Sequence, residues 1–313
     1  FRKQRPRTKA GWCVRARRTP KRFIRMRLSS YSYKGQDSYG IVRGYGIVDL
    51  KKRVGNKYPD LLSILRADKL EEIVTPLSNT EADFEVNDII FNRPVTFPEK
   101  IFCIGVNYAN RNEEYKDDSE LPNYPSVFVR TPDSLVGHEN KIVRPPESPQ
   151  LDYEGEIGLV IGKSGRRIKK EDVWDHLAGF TVINEGTIRD WLRHAKFNVT
   201  QGKNFAASGG IGPYMVTRDE VEDISNLSLE TRVNGEVRQK DIVSNMIFGI
   251  EYIVPYLSTF MELKPGDIIA TGTPPGAGTY FDPPKWLVPG DLVEVEVARV
   301  GILRNEVMDE NVS

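Results

Sequence analysis

Cysteine and histidine are scarce in this chain of 313 residues. The two cysteines, Cys13 and Cys103, lie far apart, and the three histidines, His138, His176 and His194, are scattered. That pairing of cysteines excludes a disulfide framework for a chain of this size and points to a reducing compartment, read here as the cytoplasm. Neither residue type has the ligand spacing of a zinc site. Long apolar runs are also missing, so no membrane span is expected. Acid is absent from residues 1–25, which hold eleven Lys/Arg. Because the whole chain has 44 basic and 44 acidic residues, the part from Met26 onward has 33 against 44, a net of −11. Residues 1–25 therefore read as a basic, flexible tail without the apolar stretch of a secretory signal. It could be a transit-like segment, a nucleic-acid-binding arm or an extension ahead of a start at Met26. Apart from such non-specific contact, no nucleic-acid partner is expected. At 39% hydrophobic and 28% charged residues, the remainder has ample apolar material for one large or two modest domains.

What is present is acidic and ordered along strands. In Leu151-Asp152-Tyr153-Glu154-Gly155-Glu156-Ile157-Gly158-Leu159-Val160-Ile161, alternate strand side chains share a face, so Glu154 and Glu156 point the same way. The apolar, β-branched residues behind them read as a buried strand, and two carboxylates at its mouth call for a hard divalent cation, Mg²⁺ or Mn²⁺. The bland alternative is a solvent-facing acidic strip on an edge strand. A second apolar strand, Gly179 to Ile183, ends in Asn184-Glu185-Gly186-Thr187-Ile188-Arg189-Asp190, which supplies a third carboxylate beside an arginine.

These segments belong to an ordered set. Glu154/Glu156, Asn184 to Asp190, Gly202-Lys203-Asn204-Phe205, Val233-Asn234-Gly235 with Gln239, Pro265 to Pro274, and Gly290-Asp291-Leu292-Val293-Glu294 follow one another along the chain. Over about residues 98 to 308 the chain resembles the fumarylacetoacetate hydrolase family. The resemblance implies a mixed α+β, mainly β fold: a catalytic domain built as a β-sandwich or roll over 98–308, usually in a homodimer, with the metal at its mouth. A small N-terminal α+β domain over 26–97 would precede it. There, Tyr39 to Leu50 reads as short strands separated by glycine turns, and Asp60 to Val74 as helix with Asp60 or Asp68 as N-cap. Further helices are expected at Lys170–His176, Ile188–Arg193 and Ile247–Met261. Asn234-Gly235 reads as a type I′ hairpin turn.

By the same resemblance Glu154, Glu156 and Glu185 are the metal ligands, although the family has Asp where Glu185 stands. Lys203 matches the lysine that faces the substrate oxygen. Arg189, Thr273 and Arg130 are candidates for binding substrate carboxylates, with ion pairing for Arg189 and turn hydrogen bonding for Thr273 as competing roles. The segment Ile104-Gly105-Val106-Asn107-Tyr108-Ala109-Asn110-Arg111-Asn112-Glu113-Glu114 matches a pattern in which a His-Glu pair activates water, but Arg111 occupies the histidine position. Arginine stays protonated, so Arg111 would clamp a carboxylate or pair with Glu114. Glu114 alone, a metal-bound hydroxide or His194 is left for the base. The expected activity is Mg²⁺- or Mn²⁺-dependent hydrolytic C–C cleavage of an acylpyruvate-like 2,4-dioxo carboxylate through an enolate, in aromatic catabolism. The alternative is isomerisation or decarboxylation of a 2-hydroxy-diene-dioate or 2-oxo acid, which needs no activated water. A binding protein that has lost catalysis is the reading from another class.

Overall fold

The computed structural model describes residues 26–109, 121–196, 198–221 and 223–311. The basic tail, Arg111 and Glu114 lie outside the described residues.

Gly155–Ile161 is the strand on which the architecture is centred. All seven of its residues are buried, as its uninterrupted apolar run demands of a strand covered on both faces. It pairs antiparallel with Leu177–Asn184 on one side and with Ile268–Ala270 on the other. Beyond Ile268–Ala270 come Ile101–Gly105, in parallel, and then Ser126–Arg130 at the sheet edge. In the other direction Gly209–Thr217 joins Leu177–Asn184 and then receives Arg27–Tyr33. Residues 26–97 thus do not build a sheet of their own. Their strands extend the same 12-stranded sheet, and Met26 N donates to Thr217 Oγ1 at 3.0 Å.

A five-stranded sheet, ordered Glu236–Ile242, Ser228–Val233, Leu292–Val297, Gly301–Asp309 and Ile142–Arg144, covers one face of the large sheet. Ile157, Leu159, Val182 and Val216 of the large sheet share a core with Leu229, Val295, Val297 and Leu303 of the small one. The opposite face packs Val160, Ile183 and Met215 against Leu61, Ile64 and Leu65 of the helix Leu61–Arg66. The result is the expected mainly β sandwich with few helices. Among the described residues no helix is long and apolar enough to cross a membrane.

Local chemistry explains the element ends. Asp60 caps Leu61–Arg66 through a reciprocal box with Ser63, whose N–H donates to Asp60 Oδ1 at 2.7 Å. Asp68, the other candidate cap, instead takes a left-handed conformation with φ 53°. Asp68 N donates to Leu65 O and Lys69 N to Ile64 O, the paired bonds that close a helix C-terminus, and a second helix, Leu70–Val74, starts anew. Expected helix 247–261 runs from Ile250 to Phe260, and 188–193 winds as a 3₁₀ turn, Arg189–Arg193. Asn234 and Gly235 both have positive φ, 53° and 81°, as the I′ turn requires.

His138 is a half-buried histidine. Its Nδ1 accepts from Arg304 N at 3.0 Å, and the ring meets Phe91 edge-on at 4.9 Å. Burial, with Arg304 nearby, pushes its pKa from 6.5 down to about 4. A depressed histidine pKa means that the unfolded chain binds the proton first, so His138 supports the fold fully above pH 6.5 and progressively less as pH falls toward 4. Up to roughly 3 kcal/mol is at stake over that window. His138→Asn, whose Oδ1 can take the Nδ1 role, should flatten the decline in urea-unfolding free energy between pH 6.5 and 4. An unchanged pH slope would show that His138 does not titrate on unfolding.

Candidate metal centre and active site

Strand register assembles the acidic group. Gly155 pairs with Asn184, so the residue before one and the residue after the other become neighbours. Glu185 N donates to Glu154 O at 2.7 Å, and Asn184 Oδ1 accepts from Glu154 N at 3.0 Å. Glu156, two residues along, shares the face of Glu154. Glu154, Glu156 and Glu185 are all buried, with one potential ligand atom of each within 4.8 Å of the others. Burial foremost, then Glu185 and Glu154, pushes the Glu156 carboxyl well above the usual range. The acidic-strip alternative is therefore overturned, since this strand is central and covered.

Gly272 N donates to Glu156 Oε2 at 2.7 Å. Its φ of +100° aims that N–H, and a Cβ here would stand 2.6 Å from Asn107 Cβ. Asn107 in turn fastens the turn, donating to Thr271 O at 2.7 Å. Thus the glycine of Thr271-Gly272-Thr273-Pro274 is required by backbone approach.

Lys203 enters from the helix Thr200–Lys203. Its Nζ donates to Glu154 Oε2 at 2.5 Å, Glu185 Oε2 at 3.2 Å and Thr187 Oγ1 at 2.9 Å. Burial alone would lower its pKa, but Glu154 and Glu185 outweigh burial and hold it above the ordinary lysine value, so it is an ammonium. The next residue fixes its approach: Asn204 accepts from Thr131 N at 2.7 Å and donates to Val129 O at 3.2 Å, binding the edge strand as a neighbouring strand would.

Arg189 divides its guanidinium between Asp152 Oδ2 and Glu154 Oε1, both at 2.7 Å. Asp190 accepts from Ser148 Oγ instead. Arg130, expected on the substrate side, is buried with Nη1 on Gly186 O at 2.8 Å, Nε on Ser134 Oγ and Nη2 on Ser134 O and Ser208 Oγ. It reaches the acidic group through Glu185 Oε1, 3.6 Å from Nη1. Thr273 donates to Gly155 O at 2.9 Å and accepts from Gln239 Nε2 at 2.9 Å, so its hydroxyl joins the turn to the central strand. His194 is exposed and stacks on Trp191, with ring centroids 4.1 Å apart.

Two participants were given no role by the motif reading. Gln239 ties Gly155 N, Thr273 Oγ1 and Pro274 O together, a clamp legible only as a motif position beforehand. Asp152 extends the i, i+2 alternation of Glu154 and Glu156 by one step, a signal that was available. Its carboxylate accepts from Arg189 Nε, Tyr153 N, Gly278 N and Thr279 N.

The side chains fit a hard divalent cation. Glu156 Oε1 and Glu185 Oε1 are buried without a hydrogen-bond partner, an exceptional condition for carboxylate oxygens. Asp152, Glu154, Glu156 and Glu185 face Arg130, Arg189 and Lys203, four buried carboxyl groups to three basic side chains. Oxygen donors alone suit Mg²⁺ or Mn²⁺. Glu156→Gln should weaken Mn²⁺ binding at least about tenfold, the lower end for losing a ligand's support, as read by the spin-resonance signal of free Mn²⁺. Lys203→Met removes one partner from buried ion pairs and should lower urea stability in EDTA by about 3–5 kcal/mol. Mn²⁺ affinity untouched by the first change, or stability untouched by the second, would contradict this electrostatic account.

Comparisons with known proteins identify the family. The family description "Fumarylacetoacetate (FAA) hydrolase C-terminal" matches residues 100–308. Oxaloacetate tautomerase YisK of Bacillus subtilis is 40% identical over 227 residues, covering 72% of this chain and 75% of the relative. The human mitochondrial oxaloacetate tautomerase FAHD2B is 40% identical over 224 residues, 71% of this chain and 70% of that protein. Among solved structures, a fumarylacetoacetate hydrolase from Exiguobacterium antarcticum superimposes with TM-score 0.79 at 30% identity, covering 91% of this chain and 100% of that one. A maleylpyruvate hydrolase from Sphingobium sp. SYK-6, solved with manganese(II) and pyruvate, gives 0.76 at 25% identity with the same coverages. Matching family model, relatives and sandwich together, the chain is an enzyme of the fumarylacetoacetate hydrolase family.

Proposed function

We propose that this enzyme catalyses keto–enol tautomerisation of a 2-oxo dicarboxylic acid of the oxaloacetate type, with Mg²⁺ or Mn²⁺ held by Glu154, Glu156 and Glu185. The observation that carries this reading is the Lys203 ammonium, held by Glu154, Glu185 and Thr187 beside the acidic group. A fixed cation in a buried site stabilises negative charge developing on a 2-oxo oxygen without reorganising. The relatives named oxaloacetate tautomerases support the substrate class. Arg111, at the position of the family's histidine, supports a reaction that consumes no water.

Tautomerisation breaks the C3–H bond, places its electron pair in the C2=C3 double bond and puts a proton on the C2 oxygen. In this scheme Glu114 takes the C3 proton, the Lys203 charge stabilises the oxyanion that forms at C2, and the C2 oxygen takes its proton from solvent. Arg111 pairs with a substrate carboxylate. Arg189 pairs with Asp152 and Glu154, while Arg130 holds Gly186 beside Glu185. The divalent ion, when bound, supplies Lewis-acid polarisation of the 2-oxo group. A homodimer in a reducing compartment completes the reading. The free, buried thiol of Cys103 suits such a compartment.

A second reading, hydrolytic cleavage of an acylpyruvate, is favoured by the likeness to the maleylpyruvate hydrolase. The two separate by product. Purified protein with Mn²⁺ should accelerate loss of the enol absorbance of oxaloacetate and release little pyruvate from acylpyruvates, and EDTA should abolish the acceleration. Arg111→His should raise acylpyruvate hydrolysis. If the parent releases pyruvate from acylpyruvates faster than it tautomerises oxaloacetate, the hydrolase reading replaces this one.

A further inference from the structure

Asp152 stands outside the three carboxylates that fit the metal, yet it is fully buried and accepts four hydrogen bonds. A short ladder in which Leu151 pairs with Ile188 and Asp152 with Thr187 sets it beside the Arg189 turn. Tyr153 N and Gly278 N reach Oδ1 at 2.8 Å each, and Thr279 N reaches Oδ2 at 3.0 Å. Backbone therefore orients this carboxylate independently of Arg189. Arg189 brings Nε to Oδ2, leaving Nη2 for Glu154 Oε1, while Glu154 Oε2 receives Lys203.

This division has an electrostatic consequence. Glu154 is contacted by two cationic side chains, which together would cancel its attraction for a divalent ion. Asp152 neutralises one of them. It also occupies the Nε edge of the guanidinium, and without that acceptor the planar fork is free to turn and grip both oxygens of Glu154 in the favoured bidentate manner. We propose that Asp152 is a positioning residue that restrains Arg189 from competing with the metal for Glu154. The proposal rests on the metal centre described above and is independent of which oxo acid is the substrate.

The test is Mn²⁺ affinity, read from the spin-resonance signal of the free ion, with thermal unfolding of each variant in EDTA. Asp152→Asn should weaken Mn²⁺ binding about tenfold, or about 1.4 kcal/mol. Adding Arg189→Met should restore affinity to within about threefold of the parent, about 0.7 kcal/mol by the same conversion, a rescue that a purely structural role of Asp152 would not give. An affinity unchanged in Asp152→Asn, or a double variant no tighter than the single one, overturns the proposal. Should Asp152→Asn fail to fold, Arg189→Met alone decides: affinity equal to or above the parent's supports the restraint, and a tenfold loss overturns it. A parent that binds no Mn²⁺ removes the metal centre itself and this inference with it.

Discussion

Burying several carboxylates side by side is the constraint on which this structure depends. An isolated buried carboxylate costs several kcal/mol, and like charges add to that cost. The fold answers with Lys203, Arg189 and Arg130, each anchored by further protein contacts, and still leaves two carboxylate oxygens without hydrogen-bond partners. A site in this condition fits a hard cation, and the E-x-E strand that carries it is held in place by a paired strand on each side.

The scaffold supplies the rigidity such a site needs. The E-x-E strand is central, its antiparallel partner delivers Glu185, and the Thr271–Pro274 turn arrives from the strand on the other side. Gln239, Thr273 and Asn107 then join the turns to the strands by hydrogen bonds between buried groups. Each of these side chains has two or more partners, so the site geometry is over-determined and displacement of one loop is resisted by the others.

Much of this was legible in residue order. Alternation along residues 151–161 placed Glu154 and Glu156 on one face, and the apolar run behind them implied burial. Asn234-Gly235 announced its turn by backbone chemistry, and Asp60 its helix by capping chemistry. The helix after Asp60 was less legible, because Asp68 has the chemistry of an N-cap and took the left-handed closing position instead. The joining of residues 26–97 to the large sheet was not legible either, since Arg27 pairs with Val216, 189 residues further along the chain. Arg130 and Thr273 have side chains suited to carboxylates, and only their neighbours show that carbonyls and hydroxyls already surround them.

Sequence by itself determined which residue types were available, the periodicity that sets strand faces, and the ordered motifs that mark the family. Tertiary structure decided which charges meet: that Lys203 lies between Glu154 and Glu185, that Asp152 shares Arg189 with Glu154, and that Asp190 turns away to Ser148. The reason is physical. Strand alternation acts between adjacent residues, whereas ion pairing in a low-dielectric interior depends on distances of a few ångströms between segments that only pairing register and packing bring together.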